Sequence, residues 1–524
     1  MLYQLKNTKK FILLLTVFLM GFSEISPSET SSKKALQLTS KRQLFIDTYL
    51  IEKMEGLRQT FHQPTKLPSN PVLFADQSWE SFSLFINGGP AVTYDHETKS
   101  FEVWYFTYTA VDKQSKFKEA FVPAYASSKD GIHWKKPLLG LVERNGSKKT
   151  NLLPWESQIP QGGTNVLLDA REPNPERRYK SVYYSYVSGN QRANSEGLYA
   201  SFSSDGLHWQ DFPENPVLSR HIVGDTHTLL GWDEQAQRYV GFFRPAHTFA
   251  GGVRVIGRSE SRDFIHWTEP GKQIVLKPDA QDPKGTEFYG MPVMCYEGIY
   301  AGLLWIYHND PHWPWPKETI INDDKLSRNQ QTVDTQLTFS RDGIQWERSA
   351  NREPFLPLGT VGTWDDGCIY PTTPLVVGDE IWIYYGGFNV RHTRESLSSL
   401  GKIVEGKRKA AAVGLAKLRL DGFVSIDGGA KEGTLLTKPF TFSGDDLWLN
   451  LNAARGSVFV EVLDQELRPL PGFTKAQAIT RRTNSVRQPI RWKSGSSLSS
   501  ISGKPIRLKF YLSNAELYSF WFSQ

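Results

Sequence analysis

The sequence is poor in cysteine and lacks long apolar runs. Two cysteines in 524 residues exclude a disulfide framework as the basis of the fold. The most apolar stretch, Phe11 to Phe22, has 12 residues, fewer than the roughly 20 that a membrane-spanning helix needs. The chain has no complete glycine-rich phosphate loop and no Gly-x-Ser-x-Gly elbow. These absences argue against P-loop nucleotide chemistry and against an α/β-hydrolase.

A strongly basic region is also missing from the body of the chain. Three lysines precede the apolar stretch, and the small residues Gly21 and Ser23 lie at its end, which is the layout of a secretory signal peptide. We predict that residues 1–23 are a cleaved signal peptide, with an uncleaved signal anchor as the alternative. Cleavage makes the protein secreted or periplasmic, leaves no membrane span and lowers the formal charge from +6 to about +3. A nucleic-acid partner is therefore not predicted.

One short pattern, typically Ser-x-Asp-Gly-x-x-Trp, recurs along the chain. The copies are Ser128–Trp134, Ser203–Trp209, Ser261–Trp267 and Ser340–Trp346, with a degenerate fifth copy at Arg419–Ser425. Asp-Gly favours a tight turn between two strands. The aspartate can accept hydrogen bonds from the turn backbone, and the tryptophan can cover the sheet beneath it. We therefore interpret the pattern as structural.

Each copy follows a pair of predicted strands, and no long helical period competes with them. A repeating unit would then contain strands A and B, a loop, strand C, the Asp-Gly turn and strand D. Five such units predict an all-β fold, a five-bladed β-propeller over residues 42–430. Residues 24–41 are predicted to be a flexible tether. Residues 431–524 contain short alternating strands and predict a C-terminal β-sandwich.

The predicted strand order brings several polar residues to one face of the propeller. Strand A begins where strand B ends, so these positions surround the central channel. The predicted substrate-binding residues there are Asn87, Asn165, His227, Arg244, Tyr289 and His308. The acidic positions are Asp225, Glu287 and the Asp365-Asp366 pair. Clustered carboxylates repel one another, so their convergence favours function over stability.

Paired carboxylates suit glycoside hydrolysis, in which one is a proton donor and the other a base or nucleophile. Glu287 precedes Phe288 and Tyr289, and an apolar flank favours a protonated acid. We predict Glu287 as the general acid and Asp225 as the carboxylate that orients it or tunes its pKa.

Several segments resemble a known group of enzymes. They are Leu44–Ile51, Gly285–Pro292, Ile381–Gly387 and the Asn-Pro-Val-Leu connectors that begin at Asn70 and Asn215. The sequence resembles the five-bladed-propeller glycoside hydrolases, above all secreted bacterial proteins described as glycosyl hydrolase family 32 N-terminal-like, and also family 43. The resemblance implies a carbohydrate substrate and a glycosidase activity, without specifying the sugar.

The chain departs from this family pattern in the first unit. The family places a nucleophilic or basic aspartate near the start of blade 1, where this sequence has Asn87. Asp366 is the first substitute for the base. Asp365 is its neighbour, and only one of the two should point into the channel because side chains alternate along a strand. Asp47 is the second substitute, with an ordinary strand position as its alternative interpretation.

Two tryptophans in a proline-rich loop, Trp313 and Trp315, could stack on a sugar or could pack in the core. No cofactor is predicted, and the sequence leaves open whether a Ca²⁺ ion binds in the channel. We predict an exo-acting, inverting glycoside hydrolase. The alternatives are a non-catalytic carbohydrate-binding propeller and a glycoside phosphorylase in which Arg244 and His308 hold phosphate.

Overall fold

The protein is almost entirely β-structure. The computed structural model describes residues 35–80, 83–95, 98–110, 119–144, 146–154, 160–185, 195–247, 251–308, 331–392, 403–404, 407–408, 410–479 and 482–523. Short 3-10 turns occur at Pro175–Arg177, Pro270–Lys272, Ala350–Arg352, Lys475–Gln477 and Leu498–Ile501. The all-β prediction is confirmed.

Five units of antiparallel strands follow one another along the chain, and a parallel pairing of Val333 with Cys368 joins the fourth and fifth units into one sheet. Unit 1 contains Leu84–Phe85 with Val92–Asp95, Ser100–Ala110 and Glu119–Ser128. Unit 2 contains Pro160–Leu168, Tyr179–Ser185, Gly197–Ser203 and the edge strands Gln210–Asp211 and Leu218–Ser219. Unit 3 contains Val223–Asp233, Arg238–Pro245, Ile256–Ser261 and Ile274–Leu276. Unit 4 contains Thr286–Gly290 with Val293–Tyr296, Ile299–His308, Val333–Ser340 and the edge strands Glu347–Arg348 and Pro354–Leu356. Unit 5 contains Cys368–Pro371 with Leu375–Val377, Glu380–Phe388 and Ala411–Arg419.

The last unit is completed by the beginning of the chain. Thr65–Lys66 pairs with Ala411–Arg419 as its outer strand, and Leu73 forms a further bridge with Val413. The sequence pattern does not predict this pairing, because the first segment carries no Asp-Gly turn of its own. The strand joins the fifth unit to the start of the first.

Aromatic residues of the second strands link neighbouring units. Five such residues, from units 1, 3, 4 and 5, each donate a hydrogen bond to an adjacent unit, and the bond from unit 5 reaches unit 1. The bonds are Trp104 to the Gly206 carbonyl (2.7 Å), Tyr239 to Asp169 (2.5 Å), Tyr300 to Asp233 (2.7 Å), Trp305 to the Pro371 carbonyl (3.1 Å) and Tyr384 to the Gly131 carbonyl (2.8 Å). Part of the aromatic content therefore holds units together rather than contacting a ligand.

The repeated Asp-Gly turns have the structural role that we predicted. In the second copy, Asp205 accepts the backbone N–H groups of Leu207 and His208 at 2.8 Å, and Ser203 accepts that of Gly206 at 2.9 Å. Burial alone would raise the pKa of Asp205, but the hydrogen bonds from His208 and Leu207 outweigh it and lower the pKa to about 2. The pKa values of Asp130, Asp263 and Asp342 are lowered for the same reason.

Two further sheets share one hydrophobic core at the C-terminal end. One contains Ala478–Ile479, Asn484–Trp492, Asp446–Asn452, Ala515–Ser523, Val424–Gly428, Leu57–Phe61 and Gln43–Leu44. The other contains Ile51–Glu55, Gly433–Thr437, Arg507–Ser513 and Ser457–Leu463. Leu36–Gln37 pairs with Phe440–Thr441 beside them, and Ile403–Val404 forms a separate hairpin with Lys407–Arg408.

The observed strand pairing differs from the predicted domain boundaries. Residues 43–61 pair with the C-terminal strands, whereas we expected them to lead into the propeller. Val424–Gly428 also joins this sheet, although it was predicted within residues 42–430. The physical reason is that the alternating pattern of a strand does not specify which strand it pairs with. Tertiary contacts determine the partner.

The degenerate fifth Asp-Gly copy forms the junction between the units and the C-terminal sheets. Asp421 is fully buried and accepts hydrogen bonds from Arg42 (2.7 Å), Tyr296 (2.5 Å), Asn450 (2.9 Å) and Ser519 (2.6 Å). The chain leaves unit 5 here instead of turning into a fourth strand. The aspartate that caps a turn in other copies therefore connects two parts of the molecule.

Candidate active site

Two carboxylate–arginine pairs lie on units 3 and 4. Asp225, near the start of Val223–Asp233, is paired with Arg244 at the end of the neighbouring strand. Glu287 in Thr286–Gly290 is paired with Arg254, whose Nη1 lies 2.6 Å from Glu287 Oε2. The backbone N–H of Arg254 also donates to Oε2 at 3.3 Å. Arg244 is buried, and both carboxylates keep some exposure.

One tyrosine brings these two pairs together. The guanidinium carbon of Arg244 lies 5.2 Å from the ring centroid of Tyr289, and that of Arg254 lies 5.4 Å from it. A guanidinium near an aromatic ring gains cation–π attraction. Asp225 and Glu287, from successive units, therefore belong to one cluster. We call Asp225, Arg244, His247, Arg254, Glu287, Tyr289 and His392 the funnel cluster.

Two histidines of the funnel cluster are held neutral. His392 lies against Tyr289, with ring centroids 4.7 Å apart. Burial lowers the pKa of His392 to about 3, and Arg254 and Arg244 add to the effect. Burial, followed by the same two arginines, also lowers the pKa of His247. Neutral imidazoles beside two guanidiniums can donate or accept a hydrogen bond without adding positive charge.

His308 lies at the same end of unit 4 and is bound to an acid. Its Nε2 is 2.9 Å from Oδ2 of Asp334, the second residue of the neighbouring strand Val333–Ser340. Both side chains are largely buried. The predicted phosphate contact of His308 would therefore involve a histidine that already has a carboxylate partner.

The two neighbouring aspartates of unit 5 have different environments. Asp365 is buried and binds Lys66 at 2.6 Å, while Tyr385 donates to it at 3.1 Å. Asp366 is partly exposed and accepts the backbone N–H of Gly362 at 2.6 Å. Burial lowers the pKa of Arg391, and nearby Asp366 opposes that shift. Since Arg391 precedes His392, Asp366 lies close to a residue that adjoins the funnel cluster.

Two predicted substrate-binding residues are buried inside the fold. Asn165 accepts hydrogen bonds from the N–H groups of Gly89 (2.6 Å) and Leu229 (3.0 Å), and it donates to the carbonyls of Val182 and His227. Its amide thus links units 1, 2 and 3, leaving little capacity for a ligand. We correct its assignment to a structural one.

His227 is fully buried and packs between Tyr184 and Phe243, each with its ring centroid 6.0 Å away. Neither ring nitrogen has a hydrogen-bond partner among the described residues. Burial lowers the pKa of His227 to about 3, so the ring is neutral. A fully buried ring cannot contact substrate in this arrangement, and we assign His227 to the core.

Asp47 is separated from the funnel cluster. It accepts two hydrogen bonds from Arg341, at 2.7 and 3.0 Å. Arg341 follows the end of Val333–Ser340, and Asp334 near the start of that strand binds His308. Seven residues of strand span roughly 20 Å. This separation and the bidentate pair assign Asp47 to the opposite end of unit 4.

The remaining candidates are only partly located. Asn87 is partly exposed between Leu84–Phe85 and Val92–Asp95. Trp313 and Trp315 lie outside the described residues. Within the described part of the chain, no group of three or more His, Cys, Asp or Glu residues could hold a metal ion. A channel Ca²⁺ ion therefore has no identified ligand set there.

Sequence reasoning missed Arg254, His247, His392 and Asp334. Apart from Asp47, Trp313 and Trp315, the candidates came from the starts of first strands and the ends of second strands. Third strands begin where second strands end, so Arg254 and Asp334 follow from the same rule. The two histidines lie in loops, where strand alternation gives no direction.

Comparisons with known proteins find only distant structural similarity. No protein-family model matches it, and no curated protein matches it. Three similar solved structures illustrate the structural likeness. One is described with the GH130 family of mannoside phosphorylases, containing glycoside hydrolases that target β-1,2 mannosidic linkages in Candida mannan (15% identity, 69% of this chain and 94% of the other, TM-score 0.44). Another is a glycosyl hydrolase from Bacteroides ovatus (14%, 69% and 94%, 0.43). The third is an N-acetylgalactosamine deacetylase from F. plautii in complex with blood group B trisaccharide (14%, 70% and 96%, 0.40).

These similarities are too distant to carry an inference about activity, so the proposals below rest on residues of this chain. Among the described residues, no helix is long and apolar enough to cross a membrane.

Proposed function

We propose that this protein is a glycoside hydrolase whose active site is the funnel cluster. The observation that carries the proposal is the pair of carboxylates from successive units, Asp225 and Glu287, joined through two arginines and Tyr289. Such a convergence is costly for a purely structural channel, because charged groups must be desolvated. Paired carboxylates are the groups that glycoside hydrolysis requires.

We propose a five-bladed β-propeller followed by a β-sandwich as the architecture that holds this site. Support comes from the five successive antiparallel units, the contacts from each unit to the next and the bond from Tyr384 of unit 5 to Gly131 of unit 1. Support for the sandwich comes from the two sheets that share one core. Export through the signal peptide stays a prediction, since residues 1–34 lie outside the described residues.

In the proposed reaction, Glu287 donates a proton to the oxygen of the leaving sugar. Because an acid must hold a proton when it donates, the contact between Glu287 and Arg254 has to open during the cycle. Asp225, fixed by Arg244, orients the sugar or tunes Glu287. Asp366 is the proposed base that activates water, which gives inversion. Support for Asp366 is its partial exposure and its position near Arg391, beside His392.

A glycoside phosphorylase is the second candidate. The observation that favours it is the presence of two guanidiniums around one tyrosine, Arg244 and Arg254, since arginines bind phosphate with paired hydrogen bonds. Both arginines are paired with carboxylates, so phosphate would have to replace a carboxylate at one of them.

Turnover distinguishes these functions. We would incubate the full-length mature protein with a panel of fructans, arabinans, xylosides, mannosides and algal glycans, with and without inorganic phosphate, and separate the products by chromatography. Hydrolysis predicts free sugars in phosphate-free buffer. Sugar phosphates formed only with phosphate would establish the phosphorylase instead. Binding of a glycan without any product would contradict both and leave a carbohydrate-binding protein.

A further inference from the structure

A cavity lies at the outer strands of units 3 and 4. Its volume is about 360 Å³, within the range of roughly 300–1,000 Å³ that small-molecule sites occupy. The walls come from the segment after Ile274–Leu276 and from the edge of unit 4. The polar and aromatic lining residues are Lys277, Asp279, Gln281, Trp346, Arg348, Asn351 and Arg352. We call this cavity the rim pocket, and it shares no residue with the funnel cluster.

The backbone beside the rim pocket is strained. Ala350, Asn351 and Arg352 have φ values of 52°, 50° and 66°, in the left-handed region that favours glycine. Alanine and arginine adopt this region at a cost in backbone energy, whereas asparagine tolerates it better. Arg352 is held by two hydrogen bonds to Asp279, at 2.7 and 2.6 Å. Strain that the surroundings maintain is more frequent at binding sites than elsewhere.

The polar groups around the rim pocket are fixed in place. Arg348 forms part of its wall, with only 6% of its side chain exposed, and binds Asp282 at 2.7 Å. Asp279 accepts hydrogen bonds from both terminal guanidinium nitrogens of Arg352 and from the backbone N–H of Gln281. A carboxylate has about four acceptor positions, so Asp279 retains capacity for a further hydrogen bond. Fixed donors and acceptors lower the entropic cost of binding a ligand.

An aromatic ring lies among these polar groups. Trp346 packs edge-on against Phe242, with ring centroids 5.4 Å apart, and also contacts Tyr300. Its indole is thereby anchored to the core while it lines the pocket and remains partly exposed. Sugars present apolar C–H faces to indoles and pairs of hydroxyls to carboxylates and amides. Trp346, Asp279, Gln281 and Asn351 provide these partners.

We propose that the rim pocket is a second carbohydrate-binding site, which holds one or two uncharged sugar residues. Arg348 and Arg352 are paired with Asp282 and Asp279, so the cation of the lining outside these pairs is Lys277, whose side chain is exposed to solvent. Hydroxyl groups are the better match for the remaining amides and carboxylate. This site does not depend on the reaction proposed for the funnel cluster.

The test is calorimetric titration of the full-length mature protein with glucose, galactose, mannose, fructose, xylose, arabinose and their disaccharides. At least one should bind with a Kd near the millimolar range. Asn351→Gly and Gln281→Ala should each weaken it about fivefold or more, the effect of losing a hydrogen bond. Asn351→Gly also relieves the left-handed backbone, so it should not lower the melting temperature.

Asn514→Gly is the matched control, because Asn514 also has a left-handed backbone (φ 44°) but lies between the C-terminal strands Arg507–Ser513 and Ala515–Ser523. Its sugar affinity should equal that of the wild type. The proposal is overturned if none of these sugars binds. It is equally overturned if affinity is unchanged in both rim-pocket variants.

Discussion

Replacing Glu287 with glutamine is expected to lower kcat/KM by about 10²–10⁴-fold on any glycan that the wild-type protein cleaves, the typical loss of a general acid. Glutamine has the same shape, and its amide oxygen can still accept a hydrogen bond from Arg254. It cannot deliver a proton to a leaving oxygen. Steady-state kinetics on the best substrate of the panel, together with a thermal unfolding curve, would measure the effect.

Glu260→Gln is the control for this experiment. Glu260 is also paired with arginines, at 2.9 Å from Arg258 and 3.0 Å from Arg238, but it lies outside the funnel cluster. Its replacement should leave kcat/KM within about twofold of the wild type, since no proton transfer depends on it. If Glu287→Gln retained full activity, or if both variants lost activity equally, Glu287 would not be the acid.

The Asp421→Asn substitution should be the most damaging change at the junction. It leaves Arg42 without its carboxylate in a buried site and puts an amide N–H₂ group among four donors. Breaking a buried charge pair costs about 3–5 kcal/mol. Asparagine tolerates the left-handed backbone at this position (φ 60°), so the loss reports the charge rather than the backbone. Urea denaturation followed by tryptophan fluorescence would measure it.

Asp446→Asn is the comparison for the junction variant. Asp446 also lies in the C-terminal sheets, and the side chains of Asp446 and of its partner Arg491, 2.9 Å away, are both more than a third exposed. Such a pair contributes about 0–1 kcal/mol. A denaturation midpoint for Asp421→Asn as high as that for Asp446→Asn would contradict the role of Asp421 in connecting the units to the C-terminal sheets.

The sequence pattern was most informative where local chemistry decides structure. The Asp-Gly turns and the strand pairs before them follow from turn propensity and alternation, and both predict the observed unit order. Pairings between distant segments were not predictable. Thr65–Lys66 completes unit 5 and Ile51–Glu55 joins the C-terminal sheets, yet neither strand has a feature that distinguishes those partners.

For the site, the sequence identified positions but not environments. It placed Asp225, Arg244, Glu287 and Tyr289 at one end of the units, and these four residues do cluster. The apolar flank predicted for Glu287 proved incomplete, because Arg254 from a loop contacts its carboxylate. Asn165 was assigned to the ligand for its polarity, although its amide links three units. Polarity alone does not distinguish a residue that binds substrate from one that satisfies buried backbone groups.

The most direct test of the proposed active site is a crystal structure of the Glu287→Gln protein with an uncleaved oligosaccharide. We predict that the glycosidic oxygen lies within about 3.2 Å of the side chain at position 287, the reach of a proton donor. The sugar should also contact Tyr289 and the Asp225–Arg244 pair. An oligosaccharide bound only elsewhere, with no sugar at the funnel cluster, would contradict the assignment.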